Sequence, residues 1–122
     1  MGIIKAVFDT NILIDYLSGK EEARQEIKRY KDPQISIITK MEVLVGTRKD
    51  NEPIIKEFLN SFCVIDLNDE IIELTVTIRK EYKIKIFDAI IWATAKYKNS
   101  ILITRNTKDF LNAVDVRIPY DL

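Results

Sequence analysis

The sequence contains no histidine. Histidine general bases, serine–histidine triads and histidine metal sites are therefore all excluded. A single cysteine, Cys63, excludes an internal disulfide and a cysteine zinc cluster, and its apolar run Phe62-Cys63-Val64-Ile65 predicts an inert core thiol. Net charge is also lacking: 19 basic and 19 acidic residues cancel, so contact with a nucleic acid requires a local basic patch. With no signal peptide and no long apolar run, no membrane role is expected and a cytoplasmic location is. Any chemistry falls to carboxylates, lysine, arginine, hydroxyls or a metal ion.

What is present is a core. At 122 residues with 47% hydrophobic and 31% charged residues, the composition is that of one globular domain spanning 1–122. The stretch Ile3 to Phe8 reads as a buried strand, after which Ile12, Leu13, Tyr16 and Leu17 recur at helical spacing to about Ser18, with Gly19 at the stop. Glu21 to Tyr30 reads as a solvated helix laced by local ion pairs. A second strand is predicted over Gln34 to Ile38, a third over Cys63 to Leu67, a fourth over Ser100 to Thr104 and a last over Val116 to Ile118. Helices are predicted from Thr39 to about Arg48, Pro53 to Ser61, Asn68 or Asp69 to Tyr82, and Phe87 to about Lys98, with a helical turn inside Arg105 to Leu111. This alternation predicts a parallel α/β sheet covered on both faces, with the most apolar strand, the first, in the middle.

Four acids punctuate that order. Asp9 follows strand one, Glu42 opens the helix after strand two, Asp88 opens the most apolar helix, and Asp109 follows strand four beside Asn106. Each has an ordinary structural reading. Asp9 can cap a helix, Thr39-x-x-Glu42 spells a capping box, Asp88 suits a helix dipole, and Asp109 can be solvated. Together they sit where the carboxyl ends of parallel strands share one edge, the edge at which open α/β sheets bind ligands. Clustered carboxylates raise one another's pKa and need a cation to stay ionised together; an all-oxygen, histidine-free set suits Mg²⁺ or Mn²⁺.

Four motifs in order, Phe8-Asp9-Thr10-Asn11-Ile12-Leu13-Ile14-Asp15, Ile35 to Gly46 around Glu42, Ile86 to Ala95 around Asp88, and Thr104-Arg105-Asn106-Thr107-Lys108-Asp109-Phe110, resemble the PIN domain family, specifically its small VapC-type toxin ribonucleases. The resemblance covers the whole chain. It implies a three-layer α/β/α sandwich around a parallel sheet of about five strands, a homodimer and a cognate antitoxin. It implies Asp9, Glu42 and Asp88 as metal-site acids, with Asn106 or Asp109 in the fourth catalytic position, and metal-assisted hydrolysis of RNA phosphodiester bonds. Thr10, Asn11 and Thr104 are then candidates to orient the carboxylates, and Lys40, Lys85 and Arg105 to touch phosphate. The apolar residues Met41, Val43, Leu44 and Val45, with Ile90, Ile91 and Trp92, are expected to supply dimer and antitoxin surface. A receiver-type signalling domain fits less well, because Asp9 has no acidic neighbour and no late lysine follows the fifth strand. A haloacid-dehalogenase-type phosphatase is excluded by Asn11 at its second acid. A non-catalytic PIN fold that binds RNA or protein is the remaining alternative.

Overall fold

The computed structural model describes residues 4–110 and 113–121. Ile3 and Leu111, expected in strand one and in the late helical turn, lie outside them. Five short strands form one parallel sheet: β1 Ala6–Phe8, β2 Gln34–Ser36, β3 Cys63–Ile65, β4 Ile101–Ile103 and β5 Val116–Arg117, in the order β3-β2-β1-β4-β5. β1 is central, and Ala6, Val7 and Phe8 are all fully buried, as a strand covered on both faces requires.

The pleat sends alternate side chains into two cores. Val7 and Leu102 join a cluster with Ile71, Ile78, Ala89, Ile91 and Trp92 from α5 (Asp69–Tyr82) and α6 (Ile86–Tyr97). Ala6, Phe8, Ile35 and Ile103 face Ile12, Leu13, Ala23 and Leu59, from α1 (Thr10–Leu17), α2 (Glu21–Lys28) and α4 (Glu52–Leu59). Between them α3 (Ile37–Val45) gives Ile38 to the first core and Val43 to the second. The result is a three-layer sandwich of the PIN type. Its carboxyl edge reverses direction beside β1, since the chain steps from β1 out to β2 and β3 and then crosses to β4 on the other side.

Several local expectations fail for identifiable reasons. Ile37 and Ile38 are helical, not strand, because the Ser36 hydroxyl accepts the Ile38 N–H at 3.1 Å and caps α3 there. Glu42 therefore lies in the second turn and the capping box does not exist; Thr39 is fully buried instead. Cys63 is exposed, because β3 is the edge strand of the sheet. Helix α2 is not simply solvated: Glu26 is 4% exposed and receives Arg117 Nε at 2.7 Å and Nη2 at 3.1 Å, binding α2 to β5. Val43, Ile91 and Trp92 are buried in the sandwich and so offer no partner surface, whereas Met41 and Val45 are exposed. The Trp92 indole donates to Asp115 at 3.1 Å, which pins α6 to the segment before β5.

Candidate functional site

The site begins where β1 stops. The Asp9 N–H donates to the Ile103 carbonyl at 2.8 Å, so the last β1–β4 rung fixes its backbone at the carboxyl edge. Asp9 is also the N-cap residue of α1, with extended backbone, and its Oδ1 accepts the Thr10 N–H at 2.7 Å. Capping and site placement are the same geometry here, not alternatives. The other carboxylate oxygen, Oδ2, accepts the Thr104 hydroxyl at 2.7 Å and Asn11 Nδ2 at 3.3 Å.

Asp9 is only 5% exposed. Burial pushes its pKa up to about 6; the charges of Asp88 and Glu42 push the same way, and the hydrogen bonds from Thr104 and Thr10 pull against them. Asp88, half-buried in the first turn of α6, is also raised, first by burial and then by the charges of Asp109 and Glu42, with Lys85 offsetting part. The four acids thus share one electrostatic environment although they come from the β1–α1 junction, α3, α6 and α7 (Thr107–Phe110). They do not share one point in space. Among the described residues, no group of three or more acids or thiols is disposed to hold a metal ion. Glu42 Oε1 instead accepts the Thr10 hydroxyl at 2.6 Å, and Asp109 Oδ2 accepts Asn106 Nδ2 at 2.9 Å. Asn106 Oδ1 in turn accepts the Asp109 N–H at 3.1 Å, so this pair caps α7.

The candidate orienting residues, Thr10, Asn11 and Thr104, all hydrogen-bond to one of these acids. Of the basic candidates, Lys40 is half-buried on α3 and Lys85 stands exposed just ahead of α6. Arg105 has other work: its guanidinium forks onto the buried Asp15, with Nη2 to Oδ1 at 3.0 Å and Nε to Oδ2, and the Tyr120 hydroxyl donates to Oδ2 at 2.9 Å. Sequence reading passed over Asp15 and Tyr120. The signal available was Asp15 on the inward side of α1, between Ile12 and Tyr16, where an unpaired carboxylate would be expensive. Thr39, whose hydroxyl lies 3.0 Å from that of Thr10 and donates to it while Thr10 donates to Glu42, was hidden by the false capping box.

Comparison with known proteins gives a consistent picture. The PIN domain profile matches residues 6–116. Ribonuclease VapC2 of Methanocaldococcus jannaschii is 32% identical, over 76% of this chain and 78% of that protein. A toxin–antitoxin complex from Klebsiella pneumoniae contains a chain 46% identical to this one, with a TM-score of 0.93 over 97% of this chain and 100% of that one. A DNA-bound VapBC from Salmonella typhimurium is 25% identical, with a TM-score of 0.79 over 95% and 97% of the two chains.

Proposed function

This chain belongs to the PIN domain family, and from that membership we propose that it is a divalent-metal-dependent endoribonuclease, the toxin of a toxin–antitoxin pair. The observation that carries the reading is Asp9. It is a buried carboxylate at the carboxyl edge of the central strand, its pKa lifted to about 6, facing further acids. A protein keeps such a group at a cost to stability, and a cation repays it. The donors are all oxygen, which suits Mg²⁺ or Mn²⁺ over softer metals.

Asp9 and Asp88 are the residues that hold the ion, with Glu42 beside them. When bound, the ion supplies an acidified water and a Lewis acid for the phosphoryl oxygen. The chain's own residues supply orientation. The Thr104 hydroxyl holds Asp9 Oδ2 in place, and the Thr10 N–H holds Oδ1. Glu42 is exposed and linked to Thr10, so its second oxygen is free to position the attacking water. In that hydrolysis water forms the new P–O bond and releases a proton to solvent, the P–O3′ bond breaks, and the departing oxygen takes a proton from solvent in turn. The products carry 5′-phosphate and 3′-hydroxyl ends, and the 2′-hydroxyl is not used. Asp109, held by Asn106, adds negative charge next to Asp88 and fills the fourth acidic position.

A protein antitoxin and a second copy of the chain are the partners this reading calls for. Exposed Met41, Val45 and Phe87, next to Glu42, provide apolar surface for one of them. The non-catalytic alternative draws on one observation, that among the described residues no three acids converge as the side chains now stand. RNA cleavage measured with Mg²⁺ or Mn²⁺, and again with EDTA, separates the two. Cleavage that survives EDTA, or a wild-type chain that cuts nothing with either metal, defeats the proposal.

A further inference from the structure

The Thr104 hydroxyl is the best-defined contact to Asp9, and its environment fixes its direction. It accepts Asn11 Nδ2 at 3.1 Å and the Asn106 N–H at 3.0 Å. Both lone pairs are thereby occupied, and the one thing left to give is its proton, which goes to Asp9 Oδ2. Asn11 is oriented in its turn, because its Oδ1 accepts the Arg105 N–H at 3.2 Å while its amide donates to Thr104 and Asp9. Every one of these bonds depends on where the backbone of residues 104–106 lies against α1.

That backbone is held at Thr104 by the rung from its N–H to the Arg117 carbonyl at 3.1 Å, and one residue further on by the Arg105 side chain. The fork onto Asp15 spans 90 residues of sequence and joins the loop after β4 to the inner face of α1. The Asp15 carboxylate is buried, and the Tyr120 hydroxyl from the tail after β5 closes it from the other side. Charge-assisted two-point contacts of this kind fix direction as well as distance.

We infer that the Asp15–Arg105 fork, locked by Tyr120, is a positioning device for the carboxylate site: it sets the loop so that Asn11 and Thr104 aim their donors at Asp9. This rests on the nuclease reading above. Arg105, Asp15 and Tyr120 are then positioning residues that touch neither RNA nor metal. The position of Tyr120 also makes the tail beyond β5 part of the active-site architecture.

The test uses Arg105→Lys, which keeps the charge but loses the fork, and Tyr120→Phe, a milder change that removes a single hydroxyl and leaves the Asp15–Arg105 ion pair in place. Mn²⁺ affinity of the metal-free protein is read by electron paramagnetic resonance, alongside kcat and KM on a single-stranded RNA pool. Arg105→Lys is expected to weaken Mn²⁺ binding and lower kcat by about tenfold each, as loss of outer-layer support does elsewhere, with KM unchanged. Tyr120→Phe is expected to move both in the same direction by a smaller factor. In an Asn11→Ala background the Arg105→Lys effect should largely disappear, because the fork acts through Asn11. A raised KM with unchanged Mn²⁺ affinity would make Arg105 an RNA contact and overturn the inference. A lowered melting temperature with kcat and Mn²⁺ affinity intact would make the fork mere scaffolding, and overturn it too. A wild-type protein that neither binds Mn²⁺ nor cleaves RNA removes the nuclease reading itself, an outcome distinct from either.

Discussion

Replacing Asp9 by Asn should stabilise the metal-free protein at neutral pH. A carboxyl whose pKa is about 6 when folded and about 3.8 when unfolded binds its proton more readily in the folded state. Its contribution to stability is therefore fully present below about pH 4, falls as pH rises through about 6, and stays lost above it. The gap between those two values corresponds to about 3 kcal/mol at pH 7. Asn removes the charge but does not recover all of it. Its NH₂ would face Asn11 Nδ2 and a Thr104 hydroxyl whose lone pairs are taken, and that mismatch costs about 1–2 kcal/mol. The net expectation is a gain of about 1–2 kcal/mol, or roughly 5 °C in melting temperature for a domain of this size. Thermal melts in EDTA from pH 4 to pH 8 measure it. Wild type should lose stability across the window from pH 4 to 6, and the variant should show a flatter profile. Added Mn²⁺ should reverse the order by stabilising wild type alone. A variant that melts below wild type in EDTA at pH 7, with the wild-type pH slope retained, would refute the claim that Asp9 is held charged at a cost.

Asp88→Asn should abolish Mg²⁺-dependent RNA cleavage while leaving the melting temperature in EDTA equal or higher; full activity would remove Asp88 from the catalytic set. Glu26→Gln should destabilise the fold by about 1.5–3 kcal/mol in denaturant titration, because one of two charge-assisted hydrogen bonds to the partly exposed Arg117 is lost and the other weakened. Burial of Glu26 raises its pKa, but Arg117 outweighs this and leaves it below the ordinary glutamate value, so this contribution should be lost as pH falls through that lowered value. Val45, 87% exposed, is the most solvent-facing residue of the apolar surface beside Glu42, and Val45→Lys should convert a dimer built on that surface to monomer by light scattering at micromolar concentration. An unchanged mass, or a wild-type monomer, would place the dimer contact elsewhere or nowhere.

The parallel sheet, its central strand and the order of its elements were legible in the sequence, because apolar runs and helical spacing report burial directly. The cap of α5 was legible as Asn68 or Asp69, and it is Asn68, whose Oδ1 accepts the Ile71 N–H at 2.8 Å. Other stops were not. Helix α5 ends at Lys83 in the left-handed region, with φ 56°, and no glycine marks it; the Arg79 guanidinium donates to the Ile84 carbonyl and secures the turn. The start of α3 was misplaced because two β-branched isoleucines extended a strand pattern that the Ser36 cap cuts short. Asp9 and Asp88 stand at breaks between elements that the sequence marks, whereas Glu42 lies a turn further into its helix than the sequence suggested. What sequence could not give was pairing across distance. Asp15 with Arg105, Glu26 with Arg117 and Gln34 with Ser100 are contacts between residues 66 to 91 positions apart, and charge or polarity alone does not say who meets whom.

The sheet order also sets when the site can exist during synthesis. Ala6 to Phe8 pair with Ile101 to Ile103, and Asp9 takes its firmest hydrogen bond from Thr104. A growing chain that has reached only α6 carries Asp9, Glu42 and Asp88 but leaves one edge of β1 bare and nothing opposite Asp9 Oδ2. The Arg105 fork and the Tyr120 hydroxyl arrive later still. A chain emerging from the ribosome therefore lacks the full set of hydrogen bonds around Asp9 and Asp15 until Thr104, Arg105 and Tyr120 are all free to fold back.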